Sequence, residues 1–423
     1  MSNINTFKMK YINLTVIIFS LVFVLVGTAD RVFKKEILKI NSFPNGIGIN
    51  IHNYTENDIR LLNELGADWA RVDLSWRKVE STKGKYEFNQ NSNNYDHLIK
   101  LLIKYKIKPY FVLGYSNDLY ENNKSILTKS GREAFGEFVK VASNRYKDIG
   151  AIWEIWNEPN IDLHWEPQPS YKYYSSLVNY IAPIIKRHDS TGTIVAPAVL
   201  RIDSESILWL KEVFKRGILE NIDAVSVHPY RNKQPESVMS DYLKVEDLIE
   251  EYSSKKIPVI SGEWGYSTVN LPKEFAREKQ ADYLVRMLLV NQMMGIPVSI
   301  WYGLRDDGID KDAEGHNYGL IDTKNTFKPS FTAFKVLKSA LKDTDYKYRI
   351  TSKNTENYIL KFETKDIKKN VIVYWTTDDW NSERVFINGN KGDLLEINGE
   401  KKDVQWKDYY IMDFTQTPKI LIY

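Results

Sequence analysis

Two glutamates in the sequence each lie at the end of an apolar segment. Glu158 closes the run Trp-Glu-Ile-Trp within Trp153–Asn160, and Glu263 follows another apolar run within Ser261–Gly265. Pro159 lacks a backbone N–H and restricts the residue before it, so a strand should end near Glu158. A carboxylate at the end of a buried strand is costly unless its charge or its proton is used. Both glutamates are therefore candidate catalytic groups.

Eight short apolar runs alternate with amphipathic stretches over most of the chain. The runs predict strands at Gly46–Ile51, Trp69–Leu74, Pro109–Leu113, Ile152–Trp156, Thr193–Pro197, Ala224–Val227, Pro258–Ser261 and Pro297–Trp301. Such continuous runs are typical of parallel strands that are buried on both faces. Between them, apolar residues recur at three- and four-residue spacing, as in helices. Eight β/α alternations fit a (β/α)8 TIM barrel, an α/β fold, better than an open doubly wound sheet.

The barrel would bring the two glutamates together. The carboxyl ends of all its strands converge on one face, where catalytic groups lie. Glu158 on the fourth strand and Glu263 on the seventh would then share one barrel mouth. Two such carboxylates suit glycoside hydrolysis by double displacement, in which one attacks the anomeric carbon and the other protonates the leaving oxygen and then deprotonates water. This chemistry needs no metal and no organic cofactor.

Further polar and aromatic residues are predicted at the same face. They are His52 after the first strand, Arg71 and Asp73 on the second, Asn157 beside Glu158, His228 and Tyr230 after the sixth, and Trp301 on the eighth. The alternative to a site role for His52 is a core histidine whose hydrogen bonds are satisfied. The alternative for Arg71 is a structural ion pair. Glu154 lies in the middle of its strand and is expected to serve a buried polar pair.

The motifs resemble those of a known group of enzymes. Trp-Asn-Glu-Pro at Trp156–Pro159, Gly-Glu-Trp at Gly262–Trp264, and the segments Arg71–Trp76 and Val79–Phe88 are similar to glycoside hydrolase clan A. Members of this clan are retaining, two-glutamate (β/α)8 barrels. The resemblance covers most of the predicted barrel. It is closest to family thirty-nine, the cellulase-like family five and their exopolysaccharide-cleaving relatives.

The resemblance implies a role for each catalytic residue. Glu158 would be the acid/base and Glu263 the nucleophile, while Asn157 would bind the sugar 2-hydroxyl. Arg71 would keep Glu263 ionised, because a nearby cation lowers the pKa of a carboxylate. Tyr230 would donate a hydrogen bond to the same carboxylate.

The remaining implied roles concern the substrate. His228 would orient the sugar or the acid/base, and Trp301 would form the floor of the central sugar subsite. Trp165 lies with His164 in the loop Asn160–Gln168, which could wall the cleft. Its ring is either a sugar platform or barrel packing, and the sequence leaves this open.

Composition excludes several other classes of function. The net charge of +3 gives no case for a nucleic-acid partner, which would require a concentrated basic surface. Cysteine is absent, so disulfides, thiolate metal sites and cysteine nucleophiles are excluded. The acidic loop Arg305–Tyr318 lacks the ligand spacing of a calcium loop, and we expect a solvated loop there without a metal. No protein partner is implied.

Residues 1–30 predict a targeting segment. Lys8 and Lys10 precede the uncharged stretch Tyr11–Gly27, and Gly27-Thr28-Ala29 offers a small-residue cleavage site. The apolar run is about 17 residues, near the lower limit for a spanning helix. The segment is either a cleaved signal peptide or an uncleaved membrane anchor. The remainder is therefore expected to be extracellular or at the cell surface, secreted or tethered.

The pattern changes after the barrel, which is predicted at residues 43–341. Short runs separated by polar turns, without helical stretches, predict strands at Tyr346–Ile350, Tyr358–Glu363, Asn370–Thr376, Arg384–Ile387, Asp393–Ile397 and Ile420–Tyr423. We therefore predict a small C-terminal β-sandwich domain at residues 342–423. It either packs on the barrel or binds carbohydrate.

These patterns together predict a retaining β-glycoside hydrolase that acts on an extracellular polysaccharide or oligosaccharide. One alternative is a non-catalytic carbohydrate-binding barrel, against which the presence of both glutamates, Asn157 and Arg71 argues. Another is a transglycosylase that uses the same two carboxylates but passes the sugar to another sugar. The sequence does not separate this from hydrolysis, and it does not identify the sugar, the linkage, or endo against exo action.

Overall fold

The computed structural model describes residues 43–90, 93–366 and 368–423. The predictions for residues 1–30, including the apolar stretch Tyr11–Gly27, fall outside these residues. Within the described ranges, no helix is both long enough and apolar enough to cross a membrane. Phe43–Tyr423 form one compact unit.

Eight parallel strands close into a barrel. They follow one another around it in chain order, and the eighth pairs with the first. The strands are β1 (Gly46–Asn50), β2 (Trp69–Ser75), β3 (Lys108–Gly114), β4 (Ile152–Ile155), β5 (Thr193–Leu200), β6 (Ala224–His228), β7 (Val259–Trp264) and β8 (Val298–Trp301). Each strand overlaps one of the predicted apolar runs, so the (β/α)8 prediction is confirmed.

A helix follows each strand and packs on the outside of the barrel. The helices are α1 (Glu56–Leu65), α2 (Tyr95–Lys104), α3 (Lys129–Arg145), α4 (Tyr171–His188), α5 (Ser204–Phe214), α6 (Met239–Tyr252), α7 (Ala276–Met293) and α8 (Pro329–Ala340). Short helical turns lie at Trp76–Val79, Ile218–Glu220, Pro235–Val238, Thr268–Asn270, Lys273–Phe275 and Glu314–His316, and a small ladder joins Asn89–Gln90 to Asn93–Asn94.

The sequence around α1 shows how the helix ends are set locally. The Thr55 side chain accepts from the Asp58 backbone N–H, and the Asp58 side chain accepts from the Thr55 backbone N–H, which forms a capping box. Gly66 ends the helix at a φ of 72°, a left-handed conformation that glycine adopts without steric cost. These caps fix where the chain leaves the helix toward β2.

Alternation along the strands decides which side chains enter the barrel. An apolar layer fills the lower interior and includes Trp69, Ile152 and Ile300. Successive side chains of a strand point to opposite faces, so Arg71 on β2 and Glu154 on β4 enter the interior one step above this layer. The upper interior of the barrel is therefore polar, directly beneath its mouth.

A bulge in β7 places the second glutamate. Ser261 pairs with Ser299 of β8, but Trp264 pairs with Trp301, so β7 advances three residues where β8 advances two. A Cβ added at Gly262 would collide with Ser226 Oγ and would lie 3.0 Å from Glu154 Oε1, so Gly262 faces the interior. The extra residue lets Glu263 face inward as well.

Two antiparallel sheets follow the barrel. Their strands are β9 (Thr344–Arg349), β10 (Asn357–Thr364), β11 (Asn370–Thr376), β12 (Trp380–Val385), β13 (Lys391–Glu396), β14 (Lys401–Gln405), β15 (Tyr410–Thr415) and β16 (Lys419–Ile422). The larger sheet has the order β9-β10-β11-β16-β13-β14, and β12 pairs with β15. Ile359, Ile372 and Phe414 belong to a hydrophobic cluster to which both sheets contribute.

Two of these strands, β14 and β15, were not predicted from the sequence. β14 is an edge strand whose side chains are almost all exposed, so it carries no apolar pattern. β15 alternates buried and exposed residues, and Asp413 interrupts its apolar run. The prediction of strands without helices in this region is confirmed, whereas a domain boundary between residues 341 and 342 stays a prediction.

A buried ion pair joins the barrel to the sheets. Arg286 on α7 has no exposed side-chain surface and donates to Glu236 Oε1 and Oε2 at 2.8 and 2.6 Å. Trp375 on β11 donates its Nε1–H to Glu236 Oε1 at 2.7 Å. Burial works against the charge of Arg286, but the hydrogen bonds and charge of Glu236 raise its pKa above the usual value. The larger sheet is thus tied to a charged pair that belongs to the barrel.

We predict that Glu236→Gln lowers the free energy of unfolding by about 3–5 kcal/mol, because it leaves the buried guanidinium of Arg286 without its counter-charge. The measurement is urea unfolding, followed by circular dichroism and tryptophan fluorescence. Glu137→Gln, which removes one partner of the exposed Lys140–Glu137 pair, is the control and should change stability by less than about 0.5 kcal/mol. Equal stability of the two variants would show that this contact does not hold barrel and sheets together.

Candidate active site

Arg71 lies at the centre of the barrel mouth. Its Nε and Nη2 donate to Glu154 Oε2 at 3.0 and 2.7 Å, and its Nη1 donates to Glu263 Oε2. Nη2 also reaches Asn157 Oδ1 at 2.6 Å, and Nη1 reaches Asn50 Oδ1 at 3.2 Å. Burial opposes the charge of Arg71, but the attraction of Glu154 and Glu263 raises its pKa well above the usual value. The guanidinium is therefore a fixed positive charge beneath the mouth.

Glu154 is the buried partner of this guanidinium, as predicted. Its side chain has no exposed surface. Oε1 accepts from Tyr110 OH at 2.8 Å and from Ser226 Oγ at 2.5 Å, while Oε2 takes both bonds from Arg71. Both oxygens of Glu154 thus accept two hydrogen bonds each, and the carboxylate holds Arg71 from the interior side of the barrel.

Glu263 is held by donors on both oxygens. Oε2 accepts from Arg71, and Oε1 accepts from Tyr230 OH at 2.8 Å. Burial, followed by the negative charge of Glu263, raises the pKa of Tyr230 well above its usual value, so the phenol stays protonated and donates. These two donors fix the orientation of the Glu263 carboxylate in the mouth.

The Trp-Asn-Glu turn carries left-handed backbone at two non-glycine residues. Trp156 has a φ of 72° and Glu158 a φ of 46°. Such conformations are strained and persist only where the surroundings enforce them. The turn is tied to β5, because Glu158 N–H donates to Ala198 O at 3.0 Å and Asn160 Oδ1 accepts from Leu200 N at 3.0 Å. These contacts hold Glu158 in the mouth of the barrel.

Glu158 lies between two imidazole rings. His228 Nδ1 is 2.8 Å from Oε1, and His164 Nε2 is 3.3 Å from Oε2. Burial alone would raise the pKa of Glu158, but its hydrogen bonds and electrostatic interactions with His164 and His228 lower it to about 2. The surroundings of this carboxylate therefore differ from those of Glu263, which contacts Arg71 and a phenol.

The two carboxylates are close. One oxygen of Glu158, one oxygen of Glu263 and one ring nitrogen of His228 all lie within 4.8 Å of one another. Carboxyl groups about 5–5.5 Å apart are typical of retaining glycosidases, whereas inverting enzymes leave about 6.5–9.5 Å for a water. In the described ranges, this is the one group of three side chains spaced as metal ligands would be. The prediction that no metal is required stays a prediction.

Trp301, predicted as the floor of the central subsite, is instead fully buried and packs edge-on against Trp264, with ring centroids 5.0 Å apart. The reason is alternation, since Ile300 faces the barrel interior and Trp301 must face outward. The next residue, Tyr302, takes the inward position. Its hydroxyl lies 2.9 Å from His52 Nε2 and donates to Asp307 at 2.7 Å. Alternation of side chains along β8, counted from Ile300 in the apolar layer, would have predicted Tyr302 as the inward-facing aromatic residue.

Trp165 also lies away from the cleft. It has no exposed surface and packs between Trp156 and Tyr174, with centroids 5.2 and 5.7 Å apart. Of the two alternatives left by the sequence, the structure supports barrel packing. His52, by contrast, is at the mouth, with 42% of its side chain exposed.

Several residues at the mouth were not predicted from the sequence. Tyr115 at the end of β3 stacks on His164, and Tyr318 packs against Tyr230 and Tyr302. Their positions depend on loop paths, for which the sequence carries no periodic signal. In the loop after β8, the acidic residues have separate partners: Asp306 pairs with buried Lys328, Asp307 binds Tyr302 and Glu314 binds Tyr318.

Curated proteins match parts of the chain. The chloroplastic benzoxazin-2-yl glucoside β-D-glucosidase 1 of Zea mays is 32% identical over 122 residues, 27% of this chain and 21% of that protein. The aryl-phospho-β-D-glucosidase BglA of Bacillus subtilis is 24% identical over 244 residues, 56% of this chain and 48% of that protein. The matches thus span between a fifth and a half of these relatives.

Solved structures share the fold. A family 39 glycoside hydrolase from Bacteroides cellulosilyticus WH2 superposes with a TM-score of 0.77 at 23% identity, covering 90% of this chain and 81% of that one. A family 39 β-xylosidase from Caulobacter crescentus superposes with a TM-score of 0.65 at 15% identity, covering 90% and 97%. At these identities the likeness concerns the fold alone.

A family model matches the barrel itself. The model of cellulase, glycosyl hydrolase family 5, matches residues 35–303, which is more than half of the chain. The matched range contains both strand-end glutamates, the Arg71 centre and the histidines described above. The chain therefore belongs to the cellulase family of glycoside hydrolases, glycosyl hydrolase family 5.

Proposed function

We propose that this protein is a retaining β-glycoside hydrolase that cleaves O-glycosidic bonds of an extracellular polysaccharide or oligosaccharide. The observation that carries the proposal is the pair Glu158 and Glu263, with carboxylate oxygens within 4.8 Å of each other at one barrel mouth. Membership of a glycoside hydrolase family and the β-glucosidase names of the curated relatives support it.

In the first step, Glu263 attacks the anomeric carbon while Glu158 gives a proton to the leaving oxygen. Arg71 and Tyr230 hold the attacking carboxylate in place through one hydrogen bond to each of its oxygens. In the second step, Glu158 takes a proton from water, and the hydroxide displaces Glu263 from the sugar. The two inversions restore the starting configuration.

Asn157 supplies the sugar contact. Its Oδ1 accepts from Arg71 Nη2 at 2.6 Å, so its amide Nδ2 is the group offered to a sugar 2-hydroxyl. Such a bond strengthens as charge develops at the anomeric centre. Tyr302 lies at the mouth and replaces Trp301 and Trp165 as a proposed sugar-contacting ring, and the predicted His52 lies beside it.

The location and the acceptor are further parts of the proposal. We propose that residues 1–30 direct the protein outside the cytoplasmic membrane, secreted or tethered through residues 11–27. The acceptor is water, although the same two carboxylates would also serve transfer to a sugar hydroxyl. Digestion of a glycan panel that includes bacterial exopolysaccharides, with mass spectrometry of the products, tests the substrate class and distinguishes hydrolysis from transfer.

We expect Glu158→Gln to lower turnover of a substrate with a poor leaving group about 10²–10⁴-fold, the usual contribution of a general acid. Glu263→Gly should lose nearly all activity, because no nucleophile remains, and added azide should restore part of it with an α-glycosyl azide as product. Glu236→Gln is the matched buried-glutamate control and should keep turnover per folded molecule. Full activity of the Glu158 and Glu263 variants would remove both assignments.

We expect the first-formed product to keep the β configuration of the substrate, since the carboxylates are too close for a water between sugar and base. Proton NMR of the anomeric signal, recorded before mutarotation, measures this. An initial α product would refute double displacement while leaving glycosidase activity intact.

We expect Glu154→Gln to lower kcat/KM about 10–100-fold, because a buried unsatisfied donor costs about 1–3 kcal/mol and here it disturbs Arg71 under the nucleophile. Arg71→Lys should lose at least as much, since an ammonium does not reproduce the fork that bridges Glu154 and Glu263. Circular dichroism checks the fold of each variant. Wild-type kinetics in Glu154→Gln would show that this carboxylate has no part in positioning.

A further inference from the structure

Each oxygen of Glu158, the proposed acid/base, lies beside a histidine ring nitrogen. Its Oε1 faces His228 Nδ1 at 2.8 Å, and its Oε2 faces His164 Nε2 at 3.3 Å. Only 7% of the Glu158 side chain is exposed, whereas 26% of the His164 side chain is. His164 is therefore the more exposed member of the pair.

The protonation of His228 follows from its other neighbour. His228 Nε2 lies 3.5 Å from Arg71 Nη2. A guanidinium only donates hydrogen bonds, so Nε2 must be the accepting nitrogen and Nδ1 must carry the ring proton. Nδ1–H then donates to Glu158 Oε1. A proton on Glu158 is accordingly confined to Oε2, the oxygen that faces His164.

His164 is placed by its own loop. Its backbone N–H donates to Ile161 O at 3.2 Å, and its carbonyl accepts from Trp156 Nε1 at 2.9 Å. Its ring stacks on Tyr115, with centroids 5.8 Å apart and an interplanar angle of 18°. The loop and the tyrosine together hold Nε2 beside Oε2.

We propose that His164 is a positioning residue that stores, on Nε2, the proton that Glu158 delivers to the leaving oxygen. The inference rests on the proposed function and deepens it. In the first step, the proton passes from His164 Nε2 to Glu158 Oε2 and on to the leaving oxygen, while the glycosidic C–O bond breaks and the bond to Glu263 forms. His164 becomes neutral, Glu158 ends ionised, and the charge of Glu263 is lost in the ester.

The second step returns the proton. Glu158 Oε2 takes a proton from the attacking water and passes it to His164 Nε2, as the water oxygen bonds to the anomeric carbon and Glu263 leaves as a carboxylate. Protons and charge balance over the cycle without any further reactant. Since Oε1 is committed to His228, the leaving oxygen must approach Oε2, and His164 marks the border of the leaving-group subsite.

The titratable groups around Glu158 and His164 do not compete with this pair for the stored proton. The charged and titratable side chains that face it are Arg71 and Asp73 from β2, Tyr115 from β3, His228 and Tyr230 after β6, and Glu263 from β7. Burial, the largest cause, raises the pKa of both Tyr115 and Tyr230, so these phenols keep their protons. The lowered pKa of Glu158 agrees with a proton on the imidazole side of the contact.

The proposal has a thermodynamic consequence for the pH profile. Two sites that share one proton hold it at least as tightly as either site alone. Replacing His164 with glutamine removes one of the sites but keeps a polar side chain. The pH above which the acid is lost must then fall, while a purely structural role of His164 would lower activity equally at every pH.

The experiment measures kcat/KM against pH for wild type, His164→Gln and the exposed control His97→Gln, with a nitrophenyl and a methyl β-glycoside of a sugar that the wild type cleaves. We expect the basic limb of His164→Gln to move down by about one pH unit or more. We also expect a loss of at least about tenfold near neutral pH on the methyl glycoside, whose leaving oxygen needs the proton. The nitrophenyl glycoside should be affected less, and His97→Gln should match the wild type.

A second measurement does not depend on activity. Nitrogen-15 NMR of the His164 ring, assigned by its loss in His164→Gln, should show both nitrogens protonated near neutral pH, and a neutral ring in Glu158→Gln. An unmoved basic limb, or equal losses on both glycosides, would overturn the role of His164. A wild type without any glycoside turnover would instead overturn the proposed function, and the NMR result would still decide whether the pair shares a proton.

Discussion

The contact of buried Arg71 with both Glu154 and Glu263 is the interaction on which the barrel mouth depends. A guanidinium taken out of water is costly unless its geometry with counter-charges is good, and here five donor–acceptor contacts satisfy it. Glu154 has no access to solvent and makes no contact with the proposed sugar position. Its charge allows a cation to remain beneath Glu263 without leaving the barrel interior positively charged.

The two carboxylates of the mouth differ because their surroundings differ. Glu263 accepts only from a guanidinium and a phenol, neither of which releases a proton near neutral pH. Glu158 contacts two imidazole rings, that of His228 at Oε1 and that of His164 at Oε2. Separate surroundings for two like groups are how a site divides nucleophile from acid. The proposed division here depends on residues from four different strands and one loop.

The outer parts of the structure position this centre. Lys328 and Asp306 form a nearly buried pair that fixes the loop after β8, which carries Asp307 and leads to Tyr318. Glu236 joins the barrel to the antiparallel sheets through Arg286 and Trp375. Both contacts place charged groups in low-dielectric surroundings, so each is strong when complete and destabilising when one partner is lost.

The sequence by itself determined the eight strands, their order and the presence of Glu158, Glu263, Asn157, Arg71, His228 and Tyr230 at one end of them. Apolar runs and strand ends are local features, and the closure of the barrel makes strand ends neighbours. Tertiary structure alone decided the choice of Tyr302 over Trp301, the inward turn of Glu263 at the β7 bulge, and the packing of Trp165. It also placed His164 against Glu158. These outcomes depend on register, bulges and loop paths, which are set by contacts between residues far apart in the chain and so leave no periodic signal in it.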